Sequence, residues 1–276
     1  MDTVASSISV AQLRQRSGSA SFPFLIDVRR LQTFESENSM IAGATWRDPV
    51  AVGDWLKFLP YHREIAVYCV HGHEISKNTC AALREAGLNA HYLEGGMNGW
   101  KAGGGPTVRK QAALAIPSAA NKPSKWITRE RPKIDRIACP WLIRRFIDPC
   151  AEFLYVPSAQ VLDAAESRQA IAYDVPDVQF SHRGDLCSFD AFLADFGLDD
   201  PALGDLALIV RGADTGKTEL TPQSAGLLAV SLGLSVNYPD DHAMLEQGMV
   251  IYDALYAWIC SARAEVHNAD LFKKKS

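Results

Sequence analysis

The stretch IAVYCVHGHEISKNTCAALREAGLNAHYLEGG (residues 65–96) decides the fold of the first half of the chain. It predicts a buried strand (65–69), an amphipathic helix (75–87) and a second strand (90–96) that ends in a pair of glycines. The apolar run FLIDV (24–28) predicts a further strand, and a polar helical stretch follows it. Because strands that alternate with helices pair in parallel, we expect an α/β domain with a parallel sheet flanked by helices.

Cys69 stands where a predicted strand ends, and functional groups of parallel sheets collect at the carboxyl ends of their strands. Backbone N–H groups of the following loop can form a cradle for an anion, and the helix after the loop lowers the pKa of a thiol near its N-terminus. Gly72 permits the tight turn that such a loop needs. The predicted cradle consists of Val70, His71, Gly72, His73, Glu74 and Ile75. We therefore expect a reactive thiolate at Cys69, with an inert cysteine at a strand end as the alternative.

The side chains of this loop leave several chemistries open. His71 and His73 can add positive charge beside the thiolate, but they could also be solvated, or join Cys69 in a Cys/His metal site. A phosphatase or arsenate-reductase loop needs an arginine six residues after the cysteine. This chain has Ile75 there, so that chemistry is not predicted.

Four motifs of the first half together resemble the rhodanese domain family. They are LIDVR (25–29), the pair YC (68–69) with the glycine that follows, ALREAG (82–87) and YLEGGMNGW (92–100). The resemblance covers about residues 8–103. It implies a persulfide on Cys69, formed by attack on a sulfane-sulfur donor and passed to a thiol acceptor. It also implies that Asp27 and Arg29 brace the loop in a structural role.

Two positions of the loop depart from the common pattern of thiosulfate-cleaving members. Those members carry arginines where this chain has Val70 and Glu74, and the serine that closes the loop comes one residue late. Glu74 would repel a dianionic donor by about 1 kcal/mol. A persulfide carrier and a thiol that binds without turnover therefore both remain open.

Composition and charge describe an ordinary soluble chain. The 276 residues suffice for two domains, and no apolar run is long enough to span a membrane. The start shows no secretory signal, so we expect a cytoplasmic protein without membrane association. The six cysteines form no CxxC pair, which suits neither a disulfide framework nor a zinc ribbon. Residues 126–276 are acidic overall, so no nucleic-acid partner is expected.

The chain divides at a segment rich in glycine, proline, serine and alanine. We predict an α/β domain over 1–105, a linker over 106–125 with a short helix around 111–116, and a second domain over 126–276. The second domain is predicted to be mostly α with a small sheet (α+β). Its predicted helices and strand cover 135–147, 188–196, 200–212, 222–232, 240–262 and, for the strand, 152–157.

A dense group of arginines opens the second domain, in WITRERPKIDRIACPWLIRRFID (126–148). The guanidinium fork matches a tetrahedral oxyanion in bidentate geometry, so this group predicts an oxyanion site. The alternative is that these arginines pair with the domain's own carboxylates. The residues concerned are Arg129, Arg131, Arg136, Arg144 and Arg145.

A second group of side chains has the composition of a mixed nitrogen and oxygen metal site. His242 and Glu246 are four residues apart on one face of a predicted helix, and two loops contribute further donors. The candidate ligands are His182, Cys187, Asp214, His242 and Glu246. Such a set suits iron, manganese or zinc, with hydrogen-bonded structural residues as the alternative.

The second half as a whole resembles the C-terminal domain of the chromate-resistance protein family, over about 126–265. The resemblance rests on ITRERPKIDRIACPWLIRRFIDP, SHRGDLCSFD, IVRGADT, SAGLLAVSLGLS and DDHAMLEQGMVIYDALYAW. It implies a role in the response to chromate, by sensing or processing the oxyanion. Regulators of that family carry an N-terminal DNA-binding region, whereas this chain has the rhodanese-like domain in that place.

Three functions are therefore expected as alternatives. The first is a rhodanese-type sulfurtransferase or thiol redox protein linked to chromate resistance, with Cys69 as the nucleophile. The second is an oxyanion- or metal-binding chromate-response module in which the rhodanese-like domain only interacts. The third is a metalloenzyme centred on His182, His242 and Glu246.

Overall fold

The structure is a computed structural model that describes residues 6–115 and 123–265. In the first half, short strands and helices alternate, as the apolar runs predict. The strands are β1 (Ser7–Ile8), β2 (Phe24–Asp27), β3 (Ser39–Ile41), β4 (Ala44–Trp46), β5 (Ile65–Tyr68) and β6 (Ala90–Leu93). The helices are α1 (Val10–Gln15), α2 (Leu31–Ser36), α3 (Val52–Trp55), α4 (Glu74–Glu85) and α5 (Gly96–Ala102), with a 3-10 turn at Leu56–Phe58.

Five of these strands form one parallel sheet in the order β1-β6-β5-β2-β4. Every residue of β2 and β5 is buried, which explains why both strands are apolar almost without interruption. β5 lies at the centre, with Val67 in register with Ile26 on one side and Tyr92 on the other. Cys69 therefore emerges from the middle of the carboxyl edge of the sheet.

The second half is mostly helical around a small sheet. Its strands β8 (Lys125–Arg129), β9 (Glu152–Val156) and β10 (Ile171–Ala172) form a parallel sheet in the order β10-β8-β9. Its helices are α7 (Asp135–Phe146), α8 (Val161–Arg168), α9 (Ser188–Phe196), α10 (Pro201–Asp214), α11 (Pro222–Asn237) and α12 (Asp241–Ala257). Short turns of 3-10 or π type lie at Ser158–Gln160, Thr218–Leu220 and Trp258–Ala262. The predicted fold class is confirmed, although β8, β10 and α8 were not predicted.

The predicted linker begins with regular structure. Strand β7 (Thr107–Arg109) pairs antiparallel with β3, and helix α6 (Lys110–Ala115) follows it near the predicted short helix. Val108 of β7 is buried opposite Met40 of β3. Burial of this apolar side chain attaches the start of the predicted linker to the first half. Residues 116–122 of the predicted linker lie outside the described residues.

The two halves share a continuous hydrophobic core. Buried side chains of the first half, such as Ile41 and Trp100, belong to the same cluster as Phe146 and Tyr256 of the second. The Gly43 N–H also donates a 2.7 Å hydrogen bond to the carbonyl of Phe146. The halves therefore pack against each other directly. In the part of the chain that the structure describes, no helix is both long and apolar enough to cross a membrane.

Candidate functional site

The first candidate site is the loop that joins β5 to α4. Cys69 follows the last residue of β5, and α4 begins five residues later. The Cys69 Sγ lies 3.3 Å from the Oγ of Ser76, which is buried in the first turns of α4. The thiol is therefore held between the end of the central strand and the start of a helix, where the sequence predicted a reactive cysteine.

Hydrogen-bond donors around Cys69 stabilise the thiolate. Burial raises the pKa of this thiol, but donors from Ser76 (hydroxyl and backbone N–H) and the backbone N–H groups of His71 and His73 outweigh burial. The pKa of Cys69 is consequently lower than that of an ordinary cysteine. Cys80, which is buried in α4, shows the opposite result, because burial raises its pKa and the Arg84 charge only partly offsets that.

Three glycines let the loop fold this tightly. Gly72 has a φ of +70°, and a Cβ there would overlap the carbonyl oxygen of Leu93. Gly96 has a φ of +55°, and a Cβ there would overlap the carbonyl oxygen of Cys69 and lie 2.6 Å from the Gly72 nitrogen. Gly95 also has a positive φ. The glycine pair after β6 therefore allows the chain to pass directly beneath the cysteine loop.

Helix α5 completes the support of the loop. Its N–H groups at Met97 and Asn98 donate to the carbonyl oxygens of Cys69 and Val70, at 2.9 and 3.0 Å. The Asn98 side-chain amide lies 3.2 Å from Nδ1 of His71. The motif that follows β6 thus binds the outward-facing carbonyls of the loop, which leaves the N–H groups of the loop directed at the sulfur.

Asp27 and Arg29 form a buried ion pair, with 2.5 Å between their closest atoms. The Tyr68 hydroxyl donates to Asp27 at 2.9 Å, and Arg29 donates to the carbonyl of Ser39 at 3.1 Å. The pair therefore connects β2 with β3 and with Tyr68, the residue directly before Cys69. It reaches the loop only through this neighbour.

The other residues of the predicted cradle differ in exposure. His71, His73 and Glu74 are exposed, whereas Val70 and Ile75 are half-buried. Ile75 also lines a cavity of about 270 Å³ beside α4, and Arg30 from the start of α2 contributes a positive charge to its wall. Neither Ser76 nor Arg30 was a predicted site residue. The signal for Ser76 was its position in the first turn of the helix after the cysteine.

The predicted arginine group does not converge on one point. Arg144 pairs with Glu246 at 2.7 Å and Arg145 with Asp253 at 2.8 Å, whereas Arg131 donates to the backbone carbonyls of Pro239 and Ser235. Two arginines do meet, because Arg129 and Arg136 both approach Asp174, at 3.0 and 3.5 Å. All five are therefore engaged within the chain, four with carboxylates, as the alternative interpretation expected, and Arg131 with backbone carbonyls.

The predicted metal ligands are separated in the structure. His242 packs against the ring of Tyr155, with 5.5 Å between ring centroids, and Glu246 pairs with Arg144. Cys187 is buried, and its thiol donates to Asp190 at 3.3 Å. The prediction of one site with these three residues is therefore wrong. In the sequence, His242 and Glu246 share a helix face, but in the structure that face meets Tyr155 of β9 and Arg144 of α7.

His182 and Asp214 do come together, in the company of two carboxylates that were not predicted. The Nε2 of His182 lies 3.1 Å from Asp214, 3.5 Å from Asp174 and 3.7 Å from Asp135. Asp135 is the first residue of α7, and Asp174 has a φ of +51° after β10. We call these four residues the acidic cluster. Aspartate is common for structural reasons both at the first position of a helix, as Asp135 is, and at a left-handed backbone position, as Asp174 is. The sequence therefore gave no signal that these two residues belong to a site.

Burial and mutual repulsion shape the charges of the acidic cluster. Burial, with the charges of the neighbouring aspartates, raises the pKa of Asp135 and of Asp214 above that of an ordinary carboxyl. Burial also raises the pKa of Asp174, but hydrogen bonds from His182 and from the Ser188 hydroxyl outweigh it, so that this pKa is lowered. The hydrogen bond to Asp174 raises the pKa of His182 to about 9.

Comparison with known proteins finds a family match for each half of the chain. Residues 9–103 match the family model of the rhodanese-like domain, and residues 126–259 match the family model of the ChrB C-terminal domain. The two resemblances seen in the sequence, to a rhodanese-like domain and to the ChrB C-terminal domain, are therefore confirmed.

Individual relatives are similar to parts of the chain. Over 140 residues the chain is 37% identical to Protein ChrB of Cupriavidus metallidurans, an alignment that covers 50% of this chain and 42% of that protein. The chain thus spans less than half the length of this relative. A rhodanese-related protein from Thermoplasma volcanium is 27% identical, covering 37% of this chain and 96% of that one at a TM-score of 0.33. The Alr3790 protein from Anabaena is 31% identical, covering 36% and 78% at a TM-score of 0.32.

Proposed function

We propose that the chain is a rhodanese-type sulfurtransferase that carries a persulfide on Cys69 and that acts in chromate resistance. The observation that carries this proposal is the position of Cys69 at the carboxyl end of the central strand, with its Sγ 3.3 Å from the Ser76 hydroxyl. The donors there lower the pKa of the thiol. A thiolate is the nucleophilic form of cysteine, so this position suits attack on sulfur. The family match of residues 9–103 supports the same chemistry.

The reaction has two steps on one sulfur atom. The Cys69 thiolate attacks the outer sulfur of a sulfane donor such as thiosulfate. The new Cys69 S–S bond forms as the donor's S–S bond breaks, and sulfite leaves with the electron pair. A thiolate or cyanide then attacks the outer persulfide sulfur, which yields the acceptor persulfide or thiocyanate and restores the Cys69 thiolate. The N–H groups of His71 and His73 and the Ser76 donors, which lower the thiol pKa, also suit the negative charge of the persulfide.

The charged residues near Cys69 affect which sulfur donors it can react with. Glu74 is exposed at the first position of α4, where its charge opposes a dianion. Arg30 in the wall of the neighbouring cavity supplies one positive charge. We therefore expect slow turnover of thiosulfate, and faster reaction with donors of lower negative charge, such as mercaptopyruvate. With that donor a C–S bond breaks as the Cys69 S–S bond forms, and pyruvate leaves as its enolate, which takes up a proton.

The second half links the protein to chromate resistance. It resembles the C-terminal domain of the chromate-resistance family, matches the ChrB C-terminal family model and is similar to Protein ChrB. Its arginines give less support to an oxyanion-binding module, because all five predicted arginines already have acceptors within the chain. The proposed link between the chemistry of Cys69 and chromate resistance therefore rests on these similarities.

The test is sulfur transfer by the full chain. Wild-type protein is incubated with thiosulfate or mercaptopyruvate, and the mass of the Cys69 peptide is measured before and after cyanide is added. We expect a mass increase of one sulfur atom on that peptide, its loss to cyanide, and release of thiocyanate. Cys69→Ser should abolish all three.

Cys150→Ser provides the matched control, because Cys150 is an exposed cysteine of the second half. This variant should retain full sulfur transfer. The proposal fails if neither donor forms a persulfide on wild-type Cys69, or if Cys69→Ser still releases thiocyanate.

A further inference from the structure

We propose that the acidic cluster of the second half binds a divalent transition-metal ion through Asp135, His182 and Asp214. This site lies outside the cysteine loop, and its ligand set differs from the one that the sequence predicted. Asp135 replaces Cys187, His242 and Glu246.

The spacing of the donors matches a coordination sphere. One ligand atom from each of the three residues lies within 4.8 Å of the other two. The Nε2 of His182 is 3.1 Å from a carboxylate oxygen of Asp214 and 3.7 Å from one of Asp135. Bonds of about 2.1 Å to nitrogen and oxygen place neighbouring ligand atoms of a tetrahedral or octahedral ion about 3.0–3.4 Å apart. Small side-chain shifts would therefore suffice for binding.

Asp135 supplies an independent indication of a ligand. This carboxylate is fully buried, and its Oδ2 accepts hydrogen bonds from the backbone N–H groups of Ser188 and Phe189, at 2.5 and 3.4 Å. Its Oδ1 is buried as well but has no hydrogen-bond partner within the described chain. Buried carboxylate oxygens without a donor are rare, because they lose their hydration without replacement. Oδ2 is the Asp135 oxygen nearest His182, at 3.7 Å from its Nε2, so a cation bound there by both oxygens of this carboxylate would give Oδ1 its missing partner.

Asp174 borders the proposed metal site without being one of its ligands. Asp174 accepts hydrogen bonds from Ser188 at 2.7 Å and from Arg129 at 3.0 Å, and Arg136 approaches it at 3.5 Å. These partners occupy Asp174, and its approach to the His182 Nε2 at 3.5 Å adds negative charge beside the proposed ion. The His182 side chain is 43% exposed, so one side of the site is open to water or to a ligand. Catalytic metal sites have such an open position.

The donors select the class of metal. One imidazole nitrogen with carboxylate oxygens suits Mn²⁺, Fe²⁺ and Zn²⁺, whereas Mg²⁺ and Ca²⁺ prefer oxygen alone. The thiol of Cys187 is engaged with Asp190 and stays outside the sphere. The proposal is therefore a site of one histidine and two aspartates for a first-row divalent ion.

Metal binding to the full chain tests this proposal. Protein stripped with a chelator is titrated separately with Mn²⁺, Fe²⁺ (without oxygen) and Zn²⁺, and bound metal is measured by equilibrium dialysis with elemental analysis. We expect one ion per chain for at least one metal, together with a rise in Tm. His182→Ala and Asp214→Asn should each weaken the affinity at least tenfold and remove the rise in Tm.

The matched controls are His242→Ala and Glu246→Gln, which alter residues of the same types that lie away from the cluster. Both should bind metal as the wild type does, and so should Cys69→Ser. Because His182 is exposed, its replacement should leave the fold intact, which circular dichroism of the metal-free variant verifies. The proposal is overturned if the wild type binds none of the three metals, if His182→Ala binds as tightly as the wild type, or if His242→Ala abolishes binding.

Discussion

Ser76 contributes two of the hydrogen-bond donors that lower the pKa of Cys69, one from its hydroxyl and one from its backbone. Only the hydroxyl depends on the side chain, so Ser76→Ala removes one donor without disturbing the loop. A hydrogen bond to a charged group is worth roughly 1.5 kcal/mol or more, which corresponds to about a tenfold change in an equilibrium. The serine is therefore the side chain with most influence on the fraction of thiolate.

We predict that Ser76→Ala slows alkylation of Cys69 at pH 7 by roughly tenfold. In the wild type the rate should rise with pH and level off below the pH at which a free cysteine does, because the pKa of Cys69 is lowered. In the variant the curve should shift to higher pH. The measurement is the rate of modification of the Cys69 peptide by iodoacetamide as a function of pH, followed by mass spectrometry. Identical curves for the two proteins would contradict the assigned role.

Gly96 allows the closest backbone approach to the cysteine loop. We predict that Gly96→Ala lowers the free energy of unfolding by about 2–3 kcal/mol, because its Cβ would overlap the Cys69 carbonyl oxygen at a positive φ. Gly104→Ala is the matched control, since Gly104 also has a positive φ but no atom lies near its Cβ position. The control should lose only about 1 kcal/mol. Urea unfolding measures both, and equal losses would mean that the contact is unimportant.

At the scale of secondary-structure elements, α7 and α12 are joined by a polar contact within an apolar interface. Asp253 of α12 accepts hydrogen bonds from the Trp141 indole at 2.7 Å and from Arg145 at 2.8 Å, both on α7. Trp141 is fully buried, so its N–H depends on this partner. The pair Arg144–Glu246 joins the same two helices, but there the Glu246 side chain is 62% exposed.

We predict that Asp253→Ala lowers the free energy of unfolding by about 2 kcal/mol, because the buried indole N–H and the Arg145 guanidinium lose their acceptor. Glu246→Ala should change it by at most about 0.5 kcal/mol, because an exposed ion pair contributes little. Urea unfolding at equal ionic strength compares the two variants. Equal losses would show that burial of the acceptor does not set its contribution.

At the scale of the whole molecule, the two halves share one hydrophobic core, so their unfolding should be coupled. Cys80 in the first half and Cys139 in the second are both buried and can report on each half separately. We predict that the two thiols become accessible to pulse alkylation at the same urea concentration, which also coincides with the loss of helical circular dichroism. Two separated midpoints would instead indicate independent domains.

The sequence by itself determined the architecture of the first half and the position of Cys69, because both follow from local patterns. Apolar runs predict buried strands, and the end of the central strand places the cysteine at the edge of the sheet. The same local reasoning found α7, α9 and α12 within a few residues of their bounds. It failed for β10, which has only two residues, and for β8, which directly follows the segment predicted to be a linker and carries charged residues at both ends.

Only the tertiary structure decided which polar residues of the second half meet. Spacing along a helix placed His242 and Glu246 on one face, but it could not show that β9 and α7 supply their neighbours. His182 finds Asp135 on α7 and Asp214 on α10, each tens of residues away along the chain, and Asp174 after β10, which is nearer in sequence. Such a cluster depends on how separate elements pack, because carboxylates far apart in sequence approach one another only when burial of their helices compensates the repulsion.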